Sequence, residues 1–356
     1  VKRLAHGLSV RGDSLYCPLS FSLDTYWNCL NDCHHCYLRR LNRTWGQELR
    51  PLDVESFQRK LTNGLKNPAP KSPIAQCLAQ KKTLRFGNKA DPFQKAERTH
   101  RVSRDALRIL RDLEWSYVLQ TMCTEIMMDY EDLLVFAGRK GWAIVQPIIS
   151  PGFDRDWEIL ERSRTTKPRD RLKHIFQLKK QGVPVAVNGE PFIPGFHTVD
   201  EFEGMMKLLK AYGITIYNTY NLHFNDHVAK RFHSIGLDIE KIWIMNQDAE
   251  WRKILPRLLD LGKKYGIRIG CPDFVNTGWG YREGANTCCG VEVPNPTTFN
   301  SHFMKKMIQD GIPEKQIFQQ LWDGIGNKQQ GWAILTRKKS EYYTMGDVIN
   351  HTENTK

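Results

Sequence analysis

Residues 21–40, Phe-Ser-Leu-Asp-Thr-Tyr-Trp-Asn-Cys-Leu-Asn-Asp-Cys-His-His-Cys-Tyr-Leu-Arg-Arg, carry the pattern on which the fold is read. A short apolar run containing Phe21 and Leu23 gives way to a loop in which Cys29, Cys33 and Cys36 are spaced C-x3-C-x2-C. Three thiolates on one tight loop can hold three irons of a [4Fe-4S] cube and leave the fourth open to a chelating cosubstrate. Structural zinc wants four ligands, and no later C-x2-C partners these three. A redox pair at Cys33 and Cys36 would leave Cys29 without a role.

Outward from this loop, short β-branched or aromatic runs alternate with longer amphipathic stretches, the pattern of βα units around a parallel sheet. Strands are predicted at Leu19–Tyr26, Thr83–Gly87, Tyr117–Met122, Trp142–Ile149, Val183–Val187, Thr215–Asn218, Lys241–Met245 and Ile267–Gly270. Helices are predicted at Ser103–Leu113, Arg169–Lys180, Val199–Ala211 and Glu250–Tyr265, with Gly182, Gly213 and Gly266 as their stops. The expected fold class is α/β, a partial or near-complete (β/α) TIM-type barrel of six to eight strands. It spans 19–275, after an N-terminal arm (1–18) and before a C-terminal extension (276–356) that caps the barrel mouth. Such barrels work at the C-terminal ends of their strands. There the sequence puts the cysteine loop, Gly87-Asn88-Lys89, Cys123-Thr124-Glu125, Ser150, Asn188-Gly189-Glu190, Asn218 with Asn221, Asn246 and Cys271.

The chain resembles the radical S-adenosylmethionine superfamily, and within it the spore photoproduct lyase-like branch. The likeness rests on the cysteine run, on RFGNKADPFQKAER (85–98), and on the stretch from IISPGFDRDW through RLKHIFQL to EPFIPG (148–195), together roughly residues 15–215. It implies a cluster held by Cys29, Cys33 and Cys36, with S-adenosylmethionine cleaved to a 5′-deoxyadenosyl radical. It further implies that His35 contacts adenine and that Gly87 and Asn88 approach the methionyl amino group. Ser150 with Glu161 or Arg164 would bind the methionyl carboxylate or ribose, and Asn188 and the Pro194-Gly195 turn would line the adenine side. Two departures stand out: where the lyase's second-strand motif has its hydrogen-donating cysteine this chain has Asn88, and His35 replaces one tyrosine of the radical relay while Tyr37 remains.

Farther along, Cys271 and the pair Cys288-Cys289 follow a predicted strand and a glycine-rich loop, GWGYREGANTCCG. These thiols can hold an auxiliary iron-sulfur cluster, donate a hydrogen atom, or pack as small apolar residues. With Tyr37 they make up the candidate catalytic set.

Composition narrows the partners. Lys and Arg number 52 against 39 Asp and Glu, a formal +13, which favours a polyanion through counterion release. Basic and aromatic residues mix at Leu38–Trp45 and again from Arg337 to Tyr343, as in nucleic-acid sites, although a solvated basic face reads the same way. DNA carrying a thymine-derived base, lesion or hypermodified, is the expected substrate, with a small metabolite or free nucleotide as the alternative and a non-catalytic iron-sulfur protein as a third reading. A flavodoxin- or ferredoxin-type donor would supply electrons. No run is apolar enough for a membrane span or signal peptide, so no membrane partner is expected. Cysteines grouped for metal rather than for disulfides indicate a reducing, cytoplasmic setting, of a bacterial host if the gene is phage-encoded.

Overall fold

Among the described residues ten short strands carry the architecture, and their pairing follows the order of the chain. The computed structural model describes residues 2–10, 19, 21–38, 48–70 and 72–270. The strands are β1 (Leu8–Val10), β2 (Phe21–Leu23), β3 (Tyr26–Trp27), β4 (Arg50–Pro51), β5 (Leu84–Phe86), β6 (Tyr117–Thr121), β7 (Ala143–Pro147), β8 (Val187–Asn188), β9 (Ile216–Asn218) and β10 (Arg268–Gly270). One sheet runs β1-β2-β5-β6-β7 and another β10-β9-β8. Parallel bridges Val145↔Val185 and Ile148↔Asn188 join them. Among the described residues this makes one curved array of seven parallel strands, β2, β5, β6, β7, β8, β9 and β10, with β1 antiparallel at its edge. That is an α/β partial barrel.

Side chains alternate across this sheet, because successive strand residues point to opposite faces. Phe86, Leu119, Val145, Val187 and Tyr217 join the main core, together with helix residues such as Leu110, Ile175 and Met205. On the opposite face Val118, Ile144 and Ala186 form a separate small cluster with Leu19 and Ile216. That second cluster fills the bottom of the barrel lumen, as the layered interiors of closed barrels are filled.

The helices start and stop where local chemistry dictates. Val199–Ala211 begins with a capping box in which the Glu201 N–H donates to Thr198 Oγ1 (3.1 Å) and the Thr198 N–H donates to Glu201 Oε2 (2.8 Å). Asp248–Tyr265 ends at Gly266, whose φ of 69° is the left-handed cap a glycine adopts without steric cost. Pro168–Lys180 and Val102–Asp112 likewise lie within a residue of the helices expected there.

One predicted strand is a helix. Lys241–Met245 belongs to a helix, Ile239–Met245, whose N-cap Asp238 accepts from the Lys241 N–H at 2.9 Å. The alternation in Lys-Ile-Trp-Ile-Met suits a strand, but β9 pairs directly with β10, which leaves no slot between them. Ile242 is buried while Ile244 stays 51% exposed, as one face of a surface helix allows. Asn246 is therefore this helix's C-cap and not a residue following a strand.

Candidate functional site

The cysteine loop leaves β2 at the C-terminal mouth of the array, and every part of it is tied down. The Cys29 N–H donates to the Asn28 side chain at 2.9 Å. Gln94, itself buried, accepts from the Leu30 N–H (2.8 Å) and donates to the Asn28 carbonyl (3.1 Å). The Cys36 N–H turns back onto the Cys33 carbonyl at 3.1 Å, and the His34 N–H reaches the Leu160 carbonyl at 2.7 Å. Cys33 is buried and Cys29 and Cys36 are half-buried; all three are free thiols.

Two aspartates to which the sequence reading gave no role fix the frame. Asp24, at the end of β2, accepts the N–H groups of Asn88, Lys89 and Ala90 at 3.0, 2.6 and 3.3 Å, which sets the turn after β5. Asp91 accepts from Thr121 Oγ1 and the Met122 N–H, both at 2.7 Å, from the Phe93 N–H at 2.9 Å, and from Asn31 of the cysteine loop at 3.4 Å. Replacing Asp91 by Ala strands these buried donors and is expected to cost about 2 kcal/mol. It should also lower the iron retained after anaerobic reconstitution, read by iron analysis beside a thermal melt. Unchanged iron and unchanged melting would remove Asp91 from the loop's support.

Burial pushes the Cys29 thiol up to about 12, with the Asp91 charge adding to it. Cys33 is raised as well, by burial, by Glu161 and by the neighbouring cysteines. Metal ions bind thiolates, so loading this loop requires the thiols to lose their protons. Among the described residues no three His, Cys, Asp or Glu side chains surround a single ion site. A cube makes a different demand, since each cysteine binds its own iron. Three free thiols on one eight-residue loop at the barrel mouth match that donor chemistry.

The other sequence candidates fall on the same rim. Gly87 has φ of 87°, and a Cβ there would lie 2.5 Å from the Gln120 carbonyl and 2.8 Å from Pro92, so only glycine fits. Ser150 is buried beside Asp156, which, against the effect of burial, is held down to about 2 by His197 and Ser150. His197 accepts the Ile193 N–H on Nδ1 and meets Asp156 through Nε2, each at 2.8 Å. His35 is half-buried next to this pair, its pKa lowered by burial, and its buried Nδ1 has no hydrogen-bond partner. The rings of Tyr37 and His223 pack tilted against each other, with centroids 4.6 Å apart.

Glu161 is engaged by Arg171 and Thr165 in a fully buried ion pair, and Arg171 also donates to the Ile148 carbonyl at 2.5 Å. Arg164 is open and donates to the Leu30 carbonyl at 3.4 Å. The structure thus gathers the cysteine loop, Gly87, Asn88, Ser150, Glu161 and Arg164 at one mouth, with Asn188 across the lumen. Cys271, Cys288 and Cys289, the segment 276–356 and the basic stretches 39–45 and 337–343 lie outside the described residues.

Below the rim runs a feature the sequence reading missed. Arg85 Nε donates to Gln120 Oε1 (2.8 Å), Gln120 Nε2 to Gln146 Oε1 (2.6 Å), and Gln146 Nε2 to Asn218 Oδ1 (2.9 Å). Asn218 Nδ2 then donates to Asn188 Oδ1 (3.1 Å) and Glu190 Oε1 (3.0 Å). Four buried carboxamides, one from each of β6, β7, β8 and β9, form a hydrogen-bonded floor directly above the apolar lumen cluster. The signal was legible: Val118-x-Gln120, Ile144-x-Gln146, Ala186-x-Asn188 and Ile216-x-Asn218 repeat one apolar–any–amide spacing on successive strands. Such a satisfied network is rigid, and it offers both donors and acceptors to a ligand above it.

No protein-family model matches the chain, and no curated protein matches it by sequence. Among solved structures it is similar to a mutant of spore photoproduct lyase, over 76% of this chain and 80% of that one, with 12% identity and a TM-score of 0.56. A second variant of that lyase, with bound AdoMet and dinucleoside spore photoproduct, aligns over 75% and 81% at 12% identity and a TM-score of 0.52. Streptococcus suis SuiB aligns over 76% of this chain and 53% of its own length, at 11% identity and a TM-score of 0.50. The chain therefore has the partial-barrel fold of the radical S-adenosylmethionine enzymes, in the form seen in spore photoproduct lyase.

Proposed function

We propose that this chain is a radical S-adenosylmethionine enzyme acting on a thymine-derived base in DNA. The observation that carries the reading is the placement of the C-x3-C-x2-C loop at the mouth of the parallel barrel, over a lumen floored by carboxamides. When bound, the cluster and S-adenosylmethionine supply a 5′-deoxyadenosyl radical that removes a hydrogen atom from substrate. The chain's own part is to hold and to exclude. Cys29, Cys33 and Cys36 would hold three irons, and Gly87 and Asn88 would face the methionyl amino group. Ser150 would meet its carboxylate or ribose, with His35 and Asn188 toward adenine. The lumen keeps bulk water from the reacting carbon.

A nucleobase suits the floor because its imide edge both donates and accepts, as carboxamides do. The formal charge of +13 suits DNA as the carrier of that base, and a flavodoxin- or ferredoxin-type protein would be the reductant. No helix of the described residues is long and apolar enough to cross a membrane. The base must leave the stack to reach the lumen.

The reaction type follows from Asn88. A carboxamide N–H is far stronger than a thiol S–H and returns no hydrogen atom to a thymine radical. Efficient repair of spore photoproduct is therefore not expected, and an isomerisation of an amino-acid-decorated thymine is. Reduced enzyme and S-adenosylmethionine are incubated with spore photoproduct dinucleotide and with hypermodified-thymine DNA, followed by nucleoside mass spectrometry. A product of unchanged mass and new retention time from the modified DNA is the expected result. Multiple-turnover conversion of the dinucleotide's photoproduct back to two thymidine residues would overturn it.

A further inference from the structure

Three arginines meet one carboxylate beside the cysteine loop, and they outnumber it. Asp32, between Cys29 and Cys33, takes Arg162 and Arg164 on Oδ2 and Arg231 on Oδ1, the last two at 3.5 and 2.9 Å. Arg231 also donates to the Asp32 carbonyl at 2.7 Å. The three come from two distant elements, the turn after the helix Phe153–Ile159 and the helix Asp226–His233. Glu161, the other acid of that turn, is consumed by Arg171, so it neutralises none of them. Three guanidiniums against one carboxylate leave two positive charges in excess within this cluster.

The geometry also leaves donors to spare. Arg162 and Arg164 each engage the protein through a single terminal nitrogen, and their side chains are 36% and 45% exposed. A guanidinium carries five N–H donors in a planar fork that matches phosphate oxygens. Arg231, only 13% exposed, anchors Asp32 from below. The turn itself is held in place although Arg162 and Ser163 have φ of 59° and 53°, and Asp32 a φ of 55°. Non-glycine residues pay for that conformation, and the buried Arg171–Glu161 pair overdetermines it.

We propose that Arg162 and Arg164, backed by Arg231, form a clamp for a phosphodiester of a nucleic-acid strand, positioned next to the cysteine loop. The proposal rests on the reading of the substrate as DNA. A clamped phosphate at the rim would hold the backbone while its base turns into the lumen.

The test is fluorescence anisotropy with labelled single-stranded oligothymidylate and the full, reconstituted chain across a potassium chloride series. Arg162→Ala is expected to weaken binding about tenfold and to flatten the log–log salt dependence by about 0.7, the value for one phosphate contact on a single strand. Arg162→Lys, which keeps the charge, should retain the slope. Excess thymidine monophosphate should displace the oligonucleotide only weakly, since it offers one phosphate and no continuous strand. Unchanged affinity and slope in Arg162→Ala would overturn the clamp, as would full displacement by the mononucleotide, which marks a free-nucleotide site. If the wild type converts modified DNA while Arg162→Ala binds as well as it does, the clamp alone falls. If the wild type neither binds nor converts DNA, the substrate reading falls with it.

Discussion

Cys33→Ala is expected to abolish both the broad visible absorbance of a thiolate-ligated cluster and the formation of 5′-deoxyadenosine, and Cys29→Ala and Cys36→Ala are expected to do the same. Each thiolate serves its own iron, so no single loss is shared out among the remaining two. The surrounding loop is held by Gln94, Asn28 and the Leu160 carbonyl, none of which the alanine variants touch. The fold should therefore persist while the cofactor is lost. Cys123 is the internal control: it is buried and exchanges hydrogen bonds with Asn31 at 3.4 and 3.7 Å, yet it lies on the turn after β6 and outside the loop. Cys123→Ala should keep the absorbance. Full 5′-deoxyadenosine production by the triple variant of Cys29, Cys33 and Cys36 would end the proposal of radical chemistry.

Arg171→Met is expected to be the most destabilising single change in the rim, by about 3–5 kcal/mol, because it leaves Glu161 charged and buried without its partner. Arg171 is fully buried and Glu161 is 2% exposed. The guanidinium also binds Thr165 Oγ1 and the Thr166 carbonyl, both at 2.7 Å. It thereby fastens the turn carrying Arg162 and Arg164 to the end of β7 through the Ile148 carbonyl. Replacing both members, Glu161→Leu with Arg171→Met, should recover much of the loss, since the desolvation of two charges is removed along with their attraction. Urea unfolding of the three proteins reads both effects. A drop below about 1 kcal/mol for Arg171→Met would mean that water reaches Glu161 and that the pair does not fasten the turn.

Most of the secondary structure was legible because it depends on near neighbours. The helix Val199–Ala211 was readable from its apolar period and the glycine beyond it. The strands after residue 80 were readable from β-branched runs, except that Lys241–Met245 could not be told from a helix by alternation over five residues. What excluded it was the direct pairing of β9 with β10, a contact between segments some fifty residues apart. The cysteine loop was legible for another reason, since its ligand spacing is itself the chemical requirement.

The site divides along the same line. The amino-acid sequence alone determined the α/β barrel class, the three-thiol loop and its location after the first strand of the array, since these follow from periodicity and spacing within a few residues. Only the tertiary structure decided that Glu161 answers Arg171, that Asp32 gathers arginines from two remote elements, and that four carboxamides from four strands close into one floor. The physical reason is range. Local propensity acts through the backbone over one or two turns, whereas a buried charge or amide must find its partner wherever folding brings one, because leaving it unpaired in a low-dielectric interior costs more than any local preference supplies.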